Sequence, residues 1–201
     1  DTDLTPIANI AGVTNMLVVG KHMQYRTVPE IIDFAKKNPG KLTYASAGNG
    51  TSQHLAAELF KKMAGVNILH VPYRGGAPAI QDMIAGNCDM MFGNMPEFLG
   101  QIGGGGLIPV AFGSPRPSPL FPNLPLISKF LPGFEVVNWF GVFGSKGLPA
   151  DLTDYWNKAL RAAVAKPEVQ KRFLESGMDT IIGSPAEFKA TIMADRKKWA
   201  E

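Results

Sequence analysis

One cysteine, Cys88, is all that the sequence holds, so no intrachain disulfide can form. Its neighbours Met90, Met91 and Phe92 are apolar, which predicts a buried strand thiol rather than a reactive one. Histidine is nearly as scarce. His22, His54 and His70 have no close Cys, His or carboxylate at ligand spacing, so no metal motif is present and no cofactor is expected. No apolar run is long enough to span a membrane. Basic residues come at most in pairs, such as Lys36-Lys37, Lys61-Lys62 and Lys197-Lys198, and the net charge of +3 is spread along the chain. Nucleic-acid binding needs a clustered stripe, and none is visible. No signal-peptide pattern is present either, and the opening Asp-Thr-Asp reads as a mature or truncated start.

The 201 residues are 45% hydrophobic and 18% charged, enough for one or two globular domains with a sizeable core. Gly 22 and Pro 16 are high for a helical bundle and fit many short connections between strands and helices. Residues 7–20 read as two short buried strands with a bend between them. Thr27-Val28-Pro29-Glu30 is a capping box with proline in the first turn. Its helix places Ile31, Ile32, Phe34 and Ala35 on an apolar face and stops at Asn38-Pro39-Gly40. A helix capped by Thr51 or Ser52 presents Leu55, Ala56, Leu59, Phe60 and Met63. A helix opening at Leu148-Pro149 turns Leu152, Tyr155, Trp156, Ala159, Leu160 and Ala163 inward. Ser184-Pro185-Ala186-Glu187 is a second capping box, with Phe188, Ile192 and Trp199 on one face of its helix. Strands are predicted over 41–46, 67–72, 88–92, 107–112, 138–145 and 180–182. Strands alternating with helices predict an α/β fold with a mostly parallel sheet.

The segment Tyr44-Ala45-Ser46-Ala47-Gly48-Asn49-Gly50-Thr51-Ser52-Gln53-His54-Leu55 reads as strand, glycine-rich turn and helix start. Such a turn offers backbone N–H groups and small hydroxyls at a positive helix end, a site suited to a carboxylate. Ligands of α/β sheets bind beyond the carboxyl ends of strands, which puts segments 46–52, 72–76 and 93–95 on one edge. Ser46, Asn49, Thr51 and Ser52 also suit plain helix capping, and Gly48 and Gly50 suit both roles.

Three segments carry a resemblance. They are residues 40–55, the run His70-Val71-Pro72-Tyr73-Arg74-Gly75-Gly76-Ala77-Pro78-Ala79, and Asp89-Met90-Met91-Phe92. Together they closely resemble the substrate-binding proteins of tripartite tricarboxylate transporters, the Bordetella uptake gene (Bug) family. The likeness continues through Trp139-Phe140-Gly141, Lys166-Pro167-Glu168-Val169 and Ser184-Pro185-Ala186-Glu187-Phe188. It implies a two-lobed clamshell of the type II periplasmic binding protein class, with mixed, mostly parallel sheets flanked by helices. It implies a periplasmic, monomeric, non-catalytic protein that captures a small organic acid and hands it to membrane transporter subunits. By the same resemblance residues 15–136 form the complete second domain, and residues 1–14 and 137–201 are parts of the first. The resemblance implies roughly a hundred further residues before the point matching Asp1, holding the first strands of the first domain and half of the binding site.

The implied ligand site is Ser46, Ala47, Gly48, Asn49, Gly50, Thr51 and Ser52, with Tyr73, Gly93 and Asn94. Gly93 stands where the family usually places Asp, which implies either a more anionic ligand or room for water. Arg74 stands where the family usually has a solvated Lys. Two rival readings are kept open. One is an α/β hydrolase using Ser46 as nucleophile with His54 or His70 as base. The sequence lacks a Gly-x-Ser-x-Gly elbow and an acid placed to orient either histidine. The other is a ligand-loaded sensor that signals to a membrane kinase.

Overall fold

The structure is a computed structural model that describes residues 3–199. It divides into two compact units. The larger is Thr14–Asn138; the smaller takes the chain up to Val13 together with the chain from Trp139 on.

Strand β1 (Leu4–Gly20) is a single 17-residue strand, not two short ones. The expected bend is replaced by a change of partners along the strand. Its first part pairs with β6 (Val137–Ser145) and antiparallel with β7 (Met178–Thr180). Its second part lies antiparallel between β4 (Met90–Asn94) and β5 (Leu107–Phe112), with a register shift at Leu17/Val18 on the β5 side.

The larger unit adds β2 (Thr43–Ser46) and β3 (Leu69–Pro72), giving the order β3-β2-β4-β1-β5. Pairing is parallel for β2 with β3 and for β2 with β4. The sheet is therefore mixed, with parallel pairing on one side and β1 supplying antiparallel pairing on the other.

Helices α1 (Val28–Lys37), α2 (Ser52–Ala64), α3 (Gly76–Ala85) and α4 (Met95–Gly103) belong to this unit. Alternation along β1 and β4 sorts the core by sheet face. Met16, Val18 and Met91 pack with Ile80, Met83, Met95 and Phe98 of α3 and α4. Phe92 points the other way, to Phe60 of α2 and to Phe134. Cys88 is buried within the first of these clusters, and burial pushes its thiol pKa up.

The Thr27 box forms in full. Thr27 Oγ1 accepts the Glu30 N–H at 3.4 Å, and Glu30 Oε2 accepts the N–H groups of Thr27 and Arg26 at 3.0 Å each. The Arg26 amide, then the Thr27 side chain, hold the Glu30 pKa low. The stabilisation from this lowered carboxyl is present above the ordinary carboxylate range and is lost as pH falls through its lowered value. Thr27→Ala is expected to cost about 1 kcal/mol, read by urea unfolding at neutral pH.

In the smaller unit, α5 (Ala150–Val164), α6 (Pro167–Glu175) and α7 (Pro185–Trp199) accompany β6 and β7. The Ser184 box also forms, with Ser184 N–H to Glu187 Oε2 at 2.7 Å and Glu187 N–H to Ser184 Oγ at 3.2 Å. Within this chain helix α5 buries a different stripe from its predicted face. Thr153, Asn157 and Val164 are buried, while Leu152, Tyr155 and Trp156 are exposed. The cause is polar. Asn157 Nδ2 donates to the carbonyls of Ile7 and Gly183, both at 2.9 Å, which fixes that stripe inward. Strand β6 is only half-buried, with Phe140 exposed, whereas Trp139 packs edge-on against Phe188 and donates to Asp195 at 2.5 Å.

Candidate functional site

Strand β2 ends at Ser46, and five residues later Thr51 caps α2 by accepting the His54 N–H at 3.4 Å. The turn between them needs Gly48 (φ 128°) and Gly50 (φ 76°), conformations that residues with a Cβ rarely adopt. Ser46 is fully buried beneath it. Its Oγ accepts the Gly48 N–H at 3.1 Å and lies 2.6 Å from His70 Nε2. Thr51 Oγ1 donates to the Gly48 carbonyl at 2.8 Å. The Gly50 N–H donates to His54 Nδ1 at 3.3 Å.

Behind the turn the rings of Tyr44, His70 and His54 form a stack, with centroids 4.6 Å and 4.5 Å apart. Burial, then His54, holds the His70 pKa down, so His70 stays neutral to lower pH than a free imidazole. Burial and the bond to Glu58 push the Tyr44 phenol far up, keeping it a donor.

Asn49 and Gly50 stand exposed at the tip, with Ser52 half-buried beside them. Ser52 and Gln53 occupy the first turn of α2, where backbone N–H groups have no acceptor within the helix. An anion at this helix start would meet those donors and the positive end of the helix. The Ala47 N–H is engaged elsewhere: it donates to Gln53 Oε1 at 2.6 Å.

The remaining expected residues sit on the same sheet edge in different roles. Tyr73 follows β3, and its N–H donates to the Ser46 carbonyl at 2.9 Å. Its phenol, however, donates to Asp82 of α3. Gly93 is buried in β4, and a Cβ there would stand 2.5 Å from the Phe98 ring and 3.5 Å from Glu97 Oε2. That space is filled by protein, so it holds no room for water. Asn94 caps α4 and accepts a hydrogen bond from Asn138 Nδ2. Fully buried Asn15 lies opposite Asn94 in register, and neither of its side-chain polar atoms has a partner among the described residues. Arg74 is exposed.

A pocket of about 470 Å³ opens next to the turn, lined by Ala47, Gln53, Gly76, Ala77, Ile80 and Glu97. Gln53 links turn and pocket: its Oε1 takes the Ala47 N–H and its Nε2 donates to Glu97 Oε2 at 2.8 Å. Burial pushes the Glu97 carboxyl pKa up, against hydrogen bonds from Asn94 and Gln53 that lower it. Neither Gln53 nor Glu97 was expected from the sequence. Gln53 is in phase with the buried stripe Ala56, Ala57, Phe60 and Ala64, so a polar residue at a core position was the available signal. Glu97 stands three residues after the cap Asn94, the spacing at which a carboxylate returns to a helix start. Among the described residues no group of three His, Cys, Asp or Glu is placed to hold a metal.

Comparison with known proteins gives the family and the fold. The family described as tripartite tricarboxylate transporter family receptor (TctC) matches residues 1–201. A Pseudomonas sp. relative, the UPF0065 protein in the tcbD-tcbE intergenic region, is 35% identical over 201 residues, 99% of this chain and 60% of its own length. Protein BugT of Bordetella pertussis is 28% identical over 199 residues, 98% of this chain and 61% of its own. The chain thus spans about three fifths of the length of these curated relatives. Among solved structures, an R. palustris protein with adipate matches with TM-score 0.92 and 31% identity, over 99% of this chain and 67% of that one. The periplasmic binding protein BugD matches with TM-score 0.86 and 29% identity, over 98% and 67%. The fold is that of the periplasmic binding proteins, and the chain belongs to the tripartite tricarboxylate transporter receptor family, TctC or Bug.

Proposed function

We propose that the protein is an extracytoplasmic receptor that captures a small organic carboxylate at the 46–52 turn and passes it to a tripartite tricarboxylate-type transporter in the membrane. The observation that carries this reading is the turn itself. Its glycines hold a backbone conformation, braced by the turn's own hydrogen bonds, that leads into the first-turn amides of α2 beside an open pocket. The adipate held by the R. palustris relative is a small organic acid of the same class. No helix among the described residues is long and apolar enough to cross a membrane.

Isothermal titration calorimetry of the intact protein with short dicarboxylates tests the site. Asn49→Ala, at the exposed tip, and Ser46→Ala, which removes the acceptor of the Gly48 N–H, are each expected to weaken binding about tenfold while leaving the protein folded. Unchanged affinity in both variants would place the ligand elsewhere.

The 2.6 Å contact between Ser46 Oγ and His70 Nε2 is the one observation that favours a hydrolase. Against it, Ser46 is fully buried, and the nearby Glu58 carboxylate is bonded to Tyr44 and Lys61 while the His70 ring stacks between Tyr44 and His54. We read the pair as a support for the turn. Ester turnover that disappears in Ser46→Ala would reverse this assignment.

A further inference from the structure

We propose that Glu97 sets ligand selectivity by accepting a hydrogen bond from a donor group on the bound acid, a hydroxyl, ammonium or amide nitrogen close to its carboxylate. This rests on the receptor reading above and names the class of acid within it.

Glu97 is the one charged residue among the six that line the pocket. The orientation of Gln53 fixes its role. Gln53 Oε1 faces a backbone N–H, which can only donate, so the opposite end of the amide must be the NH₂ group. That NH₂ faces Glu97 Oε2, which must accept. The Glu97 oxygen beside Gln53 is therefore an acceptor that carries no proton. Gln53 and Asn94 use part of its capacity, whereas an ionised carboxylate offers about four lone-pair sites.

The surrounding wall leaves this carboxylate accessible. Gly76 faces it without a side chain, and a Cβ there would stand 3.4 Å from Glu97 Oε2 and 3.6 Å from Gln53 Nε2. On the other side the ring of Phe98 packs over Gly93 and closes the space behind it. Burial that raises the Glu97 pKa means that the ionised form lacks full solvation, and a donor on the ligand supplies what water does not. Conversely, a second ligand carboxylate brought against Glu97 meets like charge. The turn thus selects for a carboxylate and Glu97 for a donor beside it.

The test is calorimetry of the intact protein with matched acids that differ at one carbon: succinate, malate and aspartate, and the longer pair adipate and 2-aminoadipate. The donor-bearing member of a series is expected to bind about tenfold or more tighter than its plain parent. Glu97→Gln keeps the shape but not the charge. It is expected to abolish the preference for the ammonium, to shrink that for the hydroxyl, and to leave the plain acid bound at least as well. The ammonium and hydroxyl arms tell which donor is read. Glu97→Ser gives a second, smaller variant, and the selectivity ratio separates a specificity role from a loss of structure. If the preference persists in both variants, or if plain acids bind the unaltered protein as tightly as their donor-bearing partners, Glu97 is not the selector while the receptor reading stands. If no acid in either series binds, both readings fall.

Discussion

Phe92→Ala is expected to lower the stability of the larger unit by about 3–5 kcal/mol. Phe92 is fully buried in β4, paired with Leu17 of β1. Its ring is 5.6 Å from that of Phe60 and 6.0 Å from that of Phe134, and those two are 6.2 Å apart, so the three close on one another. Strand, helix and the segment after β5 each contribute one ring. Removing the central one leaves a cavity that the sheet cannot collapse to fill, and the edge-to-face contact of the other two loses its third wall. Against a total stability of about 5–15 kcal/mol for a typical domain, the loss brings the unit close to unfolding. Urea denaturation followed by near-ultraviolet circular dichroism measures it. A loss under about 1 kcal/mol would mean that the three rings are not the centre of this core.

Gln53→Leu is the second large effect, about 2–5 kcal/mol, although it keeps volume and adds apolar surface. Gln53 is buried and both ends of its amide are used. Leucine leaves the Ala47 N–H without its acceptor and takes a donor from an already poorly solvated carboxylate. The same change should weaken ligand binding, because Ala47 belongs to the turn. Its pH dependence identifies the cause. A carboxyl whose folded pKa is raised binds more protons folded than unfolded between the ordinary carboxyl value and its own, so it destabilises above that window and the penalty is relieved below it. Losing Gln53 raises the folded value further. The stability gap between variant and unaltered protein should therefore narrow on acidification through that window. A gap that is flat with pH would assign the loss to packing rather than to Glu97.

These two residues also mark how far the sequence could be read. The capping boxes at Thr27 and Ser184 were legible because they are local, with every partner within three or four residues. The glycine turn was legible for the same reason, since positive φ at Gly48 and Gly50 is a local demand. Strand β1 was misread as two pieces because its continuity depends on partners from distant parts of the chain. In helix α5 the apolar stripe hid a second, polar stripe, because the carbonyl partners of Asn157 lie far off in sequence. Gln53 and Glu97 escaped notice because each looks ordinary alone. Their meaning lies in a contact across 44 residues that only the fold creates.

The division of β1 between two sets of partners bears on how the chain is made. Every strand that pairs with its second half, and every strand beyond these in that sheet, has been synthesised once residue 112 has emerged. The pairing of its first half with β7 comes later, since Ala11 pairs with Thr180 and Val13 with Met178. At a synthesis rate of about 5–20 residues per second, Ala11 and Val13 meet β7 only seconds after residue 112 has emerged. The sheet of the larger unit can therefore close on the second half of β1 while the β7 partner of its first half has yet to be synthesised, so the two halves of one strand are completed at different times.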